Sequence, residues 1–119
     1  MGLLTGKYTA ESRLSDDDIR GKNKQEWVKY FDNGKPHPEY LAKLRKIEDI
    51  LTRDGRSIVQ GALGWVLARS EKTLPIPGFR TVQQIEENFK TLEFGPLSPN
   101  QMKEIDTILG DRNRLYDVE

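Results

Sequence analysis

Cysteine is absent from the 119-residue chain. That excludes disulfides and thiolate chemistry, and it is compatible with a reducing cytosol. A charge of one sign is also missing: 19 basic residues balance 19 acidic ones, and the two signs are interspersed. A nucleic-acid footprint needs a basic patch or stripe, so no nucleic-acid partner is expected. No apolar run approaches the roughly 20 residues of a membrane span. The start, Met1-Gly2-Leu3-Leu4-Thr5-Gly6-Lys7, has no signal-peptide apolar core. The chain therefore reads as soluble and cytoplasmic, with no membrane partner. It holds one histidine, and neither internal repeats nor low-complexity tracts. With 32% charged against 35% hydrophobic residues, a compact core would have to come from a few well-patterned helices.

What is present falls into three stretches. Residues 1–8 are short, apolar and glycine-punctuated. Residues 9–38 are polar and broken by Gly21, Gly34, Pro36 and Pro38. They read as one long loop, either a functional flap or a disordered segment, with room for a short helix around Trp27. From residue 39 the pattern is helical. Leu41, Leu44, Ile47 and Leu51 recur at three- and four-residue steps, and Gly55 suits the stop. Three further starts share one signature. Ser57 is followed three residues later by Gln60, Thr81 by Gln84, and Ser98 by Gln101. Each is a capping box, in which the hydroxyl takes a free backbone N–H and the glutamine reaches back to the cap. Pro99 fits the first helical position, and Gly110 ends the last helix. The expected buried positions are Ile58, Ala62, Leu63, Val66 and Leu67, then Val82, Ile85, Phe89 and Leu92, then Met102, Ile105 and Leu109. Between the first two of these helices, Thr73-Leu74-Pro75-Ile76 reads as a short strand, although proline is usually confined to strand edges. Helix, strand, helix is a piece of an alternating α/β pattern, and one or two strands cannot make a sheet alone.

The stretch with chemical content runs from Leu74-Pro75-Ile76-Pro77-Gly78-Phe79-Arg80 into Thr81-Val82-Gln83-Gln84-Ile85-Glu86-Glu87-Asn88. A capped helix start offers unpaired N–H groups and the positive end of a dipole, which together favour a phosphate. Arg80 adds a permanent charge with a fork suited to phosphate. Gln84, Glu87 and Asn88 share a face at helical spacing, where an amide and a carboxylate could read the amino edge of an adenine. The plainer alternative is a capped surface helix with an ordinary polar face.

Ile76-Pro77-Gly78-Phe79-Arg80-Thr81, with Gln84 and Glu87-Asn88 beyond it, resembles the cofactor signature that follows the eighth barrel strand in the aldo-keto reductases. The resemblance implies that Gly78, Phe79 and Arg80 line the pocket for the adenosine 2′-phosphate, that Gln84 flanks it, and that Glu87 and Asn88 meet the base. Many members carry lysine where Gly78 stands and arginine where Gln84 stands, so here the phosphate rests more heavily on Arg80. Gly2-Leu3-Leu4-Thr5-Gly6-Lys7-Tyr8 resembles the segment after the seventh strand. This implies that Gly2, Leu3, Leu4, Gly6 and Lys7 embrace the cofactor pyrophosphate; on its own, the segment is equally a glycine-rich turn. Residues 60–68 resemble the helix before the eighth strand, and Gly95-Pro96-Leu97-Ser98 the approach to the C-terminal helix.

The fold expected is therefore mostly α with one or two short strands, the C-terminal part of a (β/α)₈ TIM barrel. Residues 1–8 would be a cofactor-loop segment, 9–38 the long loop, and 39–119 helices around one barrel strand. The implied cofactor is NADP(H), and the implied chemistry is hydride transfer to a carbonyl. The family's tyrosine, lysine, aspartate and histidine come from earlier strands that no segment here matches, so no catalytic residue is assigned and the chain alone is expected to be inactive. A small carbonyl substrate is expected only in a complete barrel, and the isolated chain is expected to self-associate. A non-enzymatic helical interaction module and an inactive truncated product stand as alternatives. His37 reads as a solvated loop histidine rather than a catalytic one. The run Asp16-Asp17-Asp18 reads as solvated charge rather than a cation site. Trp27, Tyr30 and Phe31 read as packing anchors, with a substrate-pocket lining as the alternative.

Overall fold

A computed structural model describes residues 2–18, 20–21 and 30–110. Their elements, in chain order, are a 3₁₀ turn at Leu3–Thr5, strands β1 (Phe31–Asp32) and β2 (Lys35–Pro36), and helices α1 (Pro38–Thr52), α2 (Ile58–Arg69), α3 (Val82–Phe94) and α4 (Pro99–Leu109). The described chain is thus mostly helical with two short strands. It divides into two compact units, residues 1–45 and 46–119.

In the first unit, β1 and β2 form an antiparallel hairpin with Phe31 opposite Pro36 and Asp32 opposite Lys35. Asn33 and Gly34, the two loop residues, take φ of 49° and 79°. Two positive φ angles are what a two-residue hairpin turn of this kind requires, and Asn-Gly is its strongest sequence signal. Gly34 is needed for a second reason: a side chain there would stand 2.7 Å from the Leu14 carbonyl oxygen. Its own carbonyl accepts from the Leu14 N–H at 2.7 Å, and its N–H donates to the Arg20 carbonyl at 3.1 Å. Leu14 and Arg20 are thereby fastened to the hairpin. Phe31 is fully buried and Tyr30 is exposed at its side, packed edge-on against Tyr40. Trp27 lies outside the described residues, as does any helix around it.

α1 follows the expected stripe, with Leu41, Leu44, Ile47 and Leu51 all buried and Ile50 beside them. The helix ends at Thr52, and Gly55, at φ 82°, follows three residues later with its N–H donating to the Thr52 carbonyl. His37 is not a free loop residue. Its Nδ1 accepts from the Glu39 N–H at 3.3 Å, and its carbonyl accepts from Tyr40 and Leu41, so it caps the start of α1 just ahead of Pro38.

The second unit is held by capping glutamines that do two things each. All three capping boxes form. Gln60 completes its box through Oε1 while its Nε2 donates to the Glu87 carbonyl on α3 at 3.0 Å. Gln101 does the same and donates to the Ile50 carbonyl at 3.0 Å and to Asp54 at 3.3 Å. Both are buried. α2 comes so near the end of α1 that a side chain on Gly61 would collide with the Leu51 carbonyl.

Two expectations fail here. Residues 73–76 do not form a strand. Among the described residues only β1 and β2 pair as strands, and Pro75 and Pro77 have no N–H to donate. α3 also does not bury its apolar set. Ile85 is half-buried, but Val82 is 70% exposed and Phe89 and Leu92 are 67% exposed. The amphipathic spacing is real; no described element covers that face. The helix α2 set, Ile58, Ala62, Leu63, Val66 and Leu67, is half-buried throughout, while on α4 Ile105 is buried and Met102 and Leu109 half-buried.

Candidate cofactor segments

Arg80 stands one residue ahead of Thr81, the cap of α3. Its guanidinium is exposed and, among the described residues, has no hydrogen-bond or ion-pair partner. Its backbone is fixed nonetheless. The Arg80 N–H donates to Gln84 Oε1 at 2.7 Å, and the Thr81 N–H to the same oxygen at 3.3 Å. Gln84 therefore spends its carbonyl oxygen on the turn and keeps only its amide N–H groups for a ligand. Asn88, one helical turn further, reaches back with Nδ2 to the Gly78 carbonyl at 3.4 Å. Glu87 gives its backbone carbonyl to Gln60. Gln84 and Asn88, expected from the sequence to face a ligand, both tie the 78–81 turn to α3. Phe79 is exposed, and a side chain on Gly78 would meet nothing within 4 Å. Beside this turn, Leu63, Leu67, Leu74, Phe89 and Leu92 line an open, apolar groove of about 220 Å³.

The other segment belongs to the first unit. Gly2 (φ 81°, ψ 3°) and Gly6 (φ 76°, ψ −1°) bracket the 3₁₀ turn in the left-handed conformation. Thr5, which sequence reasoning passed over, ties the turn shut: its hydroxyl donates to the Gly2 carbonyl at 2.6 Å and accepts from the Lys7 N–H at 3.4 Å. Leu3 is half-buried and Leu4 exposed. Lys7 is exposed, with Nζ 5.0 Å from the centre of the Tyr8 ring.

The acidic run is not uniformly solvated. The Asp17 carboxyl is held below its ordinary pKa, chiefly by the Ser15 hydroxyl. Asp18 instead grips Arg20 at both oxygens, 2.8 Å to Nε and 2.7 Å to Nη2. That bond, ahead of the Tyr8 contact, raises the Arg20 pKa above its usual value. The signal in sequence was Asp-x-Arg, a spacing at which a turn can close a bidentate pair. Among the described residues no group of three or more acidic or histidine side chains could hold a metal ion, and no helix is long and apolar enough to cross a membrane.

The model of the Aldo/keto reductase family matches residues 1–109. The aldo-keto reductase yakc [NADP(+)] of Schizosaccharomyces pombe is 35% identical over 104 residues, covering 87% of this chain and 28% of the relative. YhdN, an aldo-keto reductase of Bacillus subtilis, is 29% identical over 91% of this chain and 31% of its own. A probable pyridoxal reductase 2 of Schizosaccharomyces pombe is 28% identical over 97% and 34%. The chain thus spans about a third of the length of these relatives. No solved structure matches.

Proposed function

Because the chain belongs to the aldo/keto reductase family over residues 1–109, we propose that it is the NADP(H)-binding, C-terminal portion of an NADP-dependent carbonyl or alcohol oxidoreductase. In this reading Gly78, Phe79 and Arg80 take the adenosine 2′-phosphate, Gln84 flanks it, and Glu87 and Asn88 meet the adenine. Gly2, Leu3, Leu4, Gly6 and Lys7 take the pyrophosphate. The observation that carries the reading is the Arg80 guanidinium, exposed and unengaged among the described residues, one residue ahead of a capped helix start. A surface arginine with no partner beside the positive end of a helix is poised for an anion. Gly78 leaves open space there, so a phosphate meets no side chain at that position. NADP(H), when bound, supplies the hydride. The chain's own part is to hold the adenosine end and the pyrophosphate, and no catalytic residue is assigned to it. Hydride transfer to a small carbonyl substrate belongs to the complete barrel. The exposed apolar side chains of α3, with Leu74 and Ile76 at 79% and 93% exposure, support this: they are the surface a barrel would cover. The same surface favours a second reading, a helical module that docks on a partner.

The test is a titration with NADPH and NADH, before and after Arg80→Ala. Removal of a charge-assisted contact worth about 1.5–3 kcal/mol weakens NADPH roughly tenfold to over a hundredfold. NADH, which lacks the 2′-phosphate, loses far less. Equal losses for the two cofactors would rule out Arg80 as the phosphate ligand. Absence of dinucleotide binding by the unaltered chain would favour the docking module.

A further inference from the structure

We propose that Arg20 is a positioning residue for the dinucleotide turn: locked by Asp18, it sets the Tyr8 ring against Gly2 and so presets residues 2–7 for the pyrophosphate. The inference rests on the reading of that turn as the pyrophosphate segment. All the groups concerned lie in the first unit. Asp18 accepts from Nε and Nη2 of Arg20 at 2.8 and 2.7 Å, and its Oδ1 also accepts from the Arg20 backbone N–H at 2.9 Å. With that edge of the fork occupied, Nη1 donates to the Tyr8 hydroxyl at 2.9 Å. The guanidinium lies 5.8 Å from the Tyr8 ring centre and 5.6 Å from that of Phe31, and the two rings meet edge to face at 5.3 Å. The far side of this cluster is the turn itself. A methyl group placed on Gly2 would lie 3.4 Å from Cε2 of Tyr8 and 3.7 Å from Nη1 of Arg20. Gly2 is the residue whose carbonyl Thr5 closes upon.

A direct role for Arg20 as a phosphate ligand fits this geometry poorly. Its charge is neutralised by a bidentate carboxylate, and the ion-paired side chains are only 19% and 25% exposed. What it does supply is rigidity. The Arg20 backbone is fastened to the β1–β2 hairpin through Gly34, so the clamp transmits the position of a buried aromatic, Phe31, to a surface turn bracketed by two glycines. A turn held in its bound shape loses less entropy on binding.

The experiment compares NADPH with adenosine 2′-monophosphate, which carries the 2′-phosphate and base but no pyrophosphate. Arg20→Met is expected to weaken NADPH about tenfold and to leave adenosine 2′-monophosphate unchanged. Tyr8→Phe, which removes only the hydroxyl, gives a smaller loss with the same selectivity. Arg20→Lys keeps the charge but not the fork, and does not restore affinity. Unaltered NADPH binding in Arg20→Met, equal losses for the two ligands, or full rescue by lysine would each overturn the inference. Failure of the underlying reading shows earlier, as an unaltered chain that binds neither ligand, or binds the monophosphate no more weakly than NADPH.

Discussion

Three arginines show how burial sets what a guanidinium does. Arg80 is exposed and unengaged among the described residues, and so is available to an anion. Arg20 is partly buried and tied to a carboxylate, and so becomes a clamp. Arg56 is buried and serves backbone. It donates from Nη1 to the Gly95 carbonyl at 2.6 Å and from Nη2 to the carbonyls of Phe94 and Pro96 at 3.2 and 3.3 Å. These oxygens belong to the end of α3 and its exit, where carbonyls lack intrahelical partners and the dipole favours a cation. Gly64 makes the arrangement possible, since a side chain there would stand 2.6 Å from Nη1. Arg56→Met preserves bulk but leaves the three carbonyls without their donor. A loss of about 3 kcal/mol is expected, on the order of 10 °C in melting temperature. Thermal unfolding followed by circular dichroism reads it, and an unchanged midpoint would show that water substitutes freely for the guanidinium.

At the scale of elements, the helix starts were legible because a capping box is local: Ser or Thr and a Gln three residues on suffice, whatever the surroundings. The stripe of α1 was legible for the same reason. Asn33-Gly34 announces the hairpin, but Gly34 and Pro36 read equally well as loop breakers, and only the pairing shows a turn with an edge proline. The burial of α3 could not be read from spacing at all, since an apolar face says that something covers it and not what. Residues 73–76 and their lost strand are the same case in another element. In the candidate site, Arg80, Gln84 and Asn88 were visible by their order, but the use of Gln84 and Asn88 as ties within the turn depends on side-chain reach. The uncovered α3 face carries its own expectation. Exposed apolar patches favour association, so sedimentation at low micromolar concentration should show a dimer or larger species. Phe89→Glu, by placing a charge where about 1.5–3 kcal/mol of apolar burial would be gained, should shift it toward monomer. A compact monomer before substitution, or association indifferent to Phe89→Glu, would contradict this.

The whole molecule is two units carrying one proposed cofactor segment each, in a chain about a third as long as its relatives. That each of these segments takes part in binding NADP(H) is the central claim of the proposed function. Backbone amide resonances followed during addition of NADPH test it most directly. The account predicts shifts concentrated at residues 2–7 and 78–88, with those at 78–81 reduced when NADH replaces NADPH. Shifts absent from both segments, or gathered instead along the apolar groove lined by Leu63, Leu67 and Leu74, would contradict it.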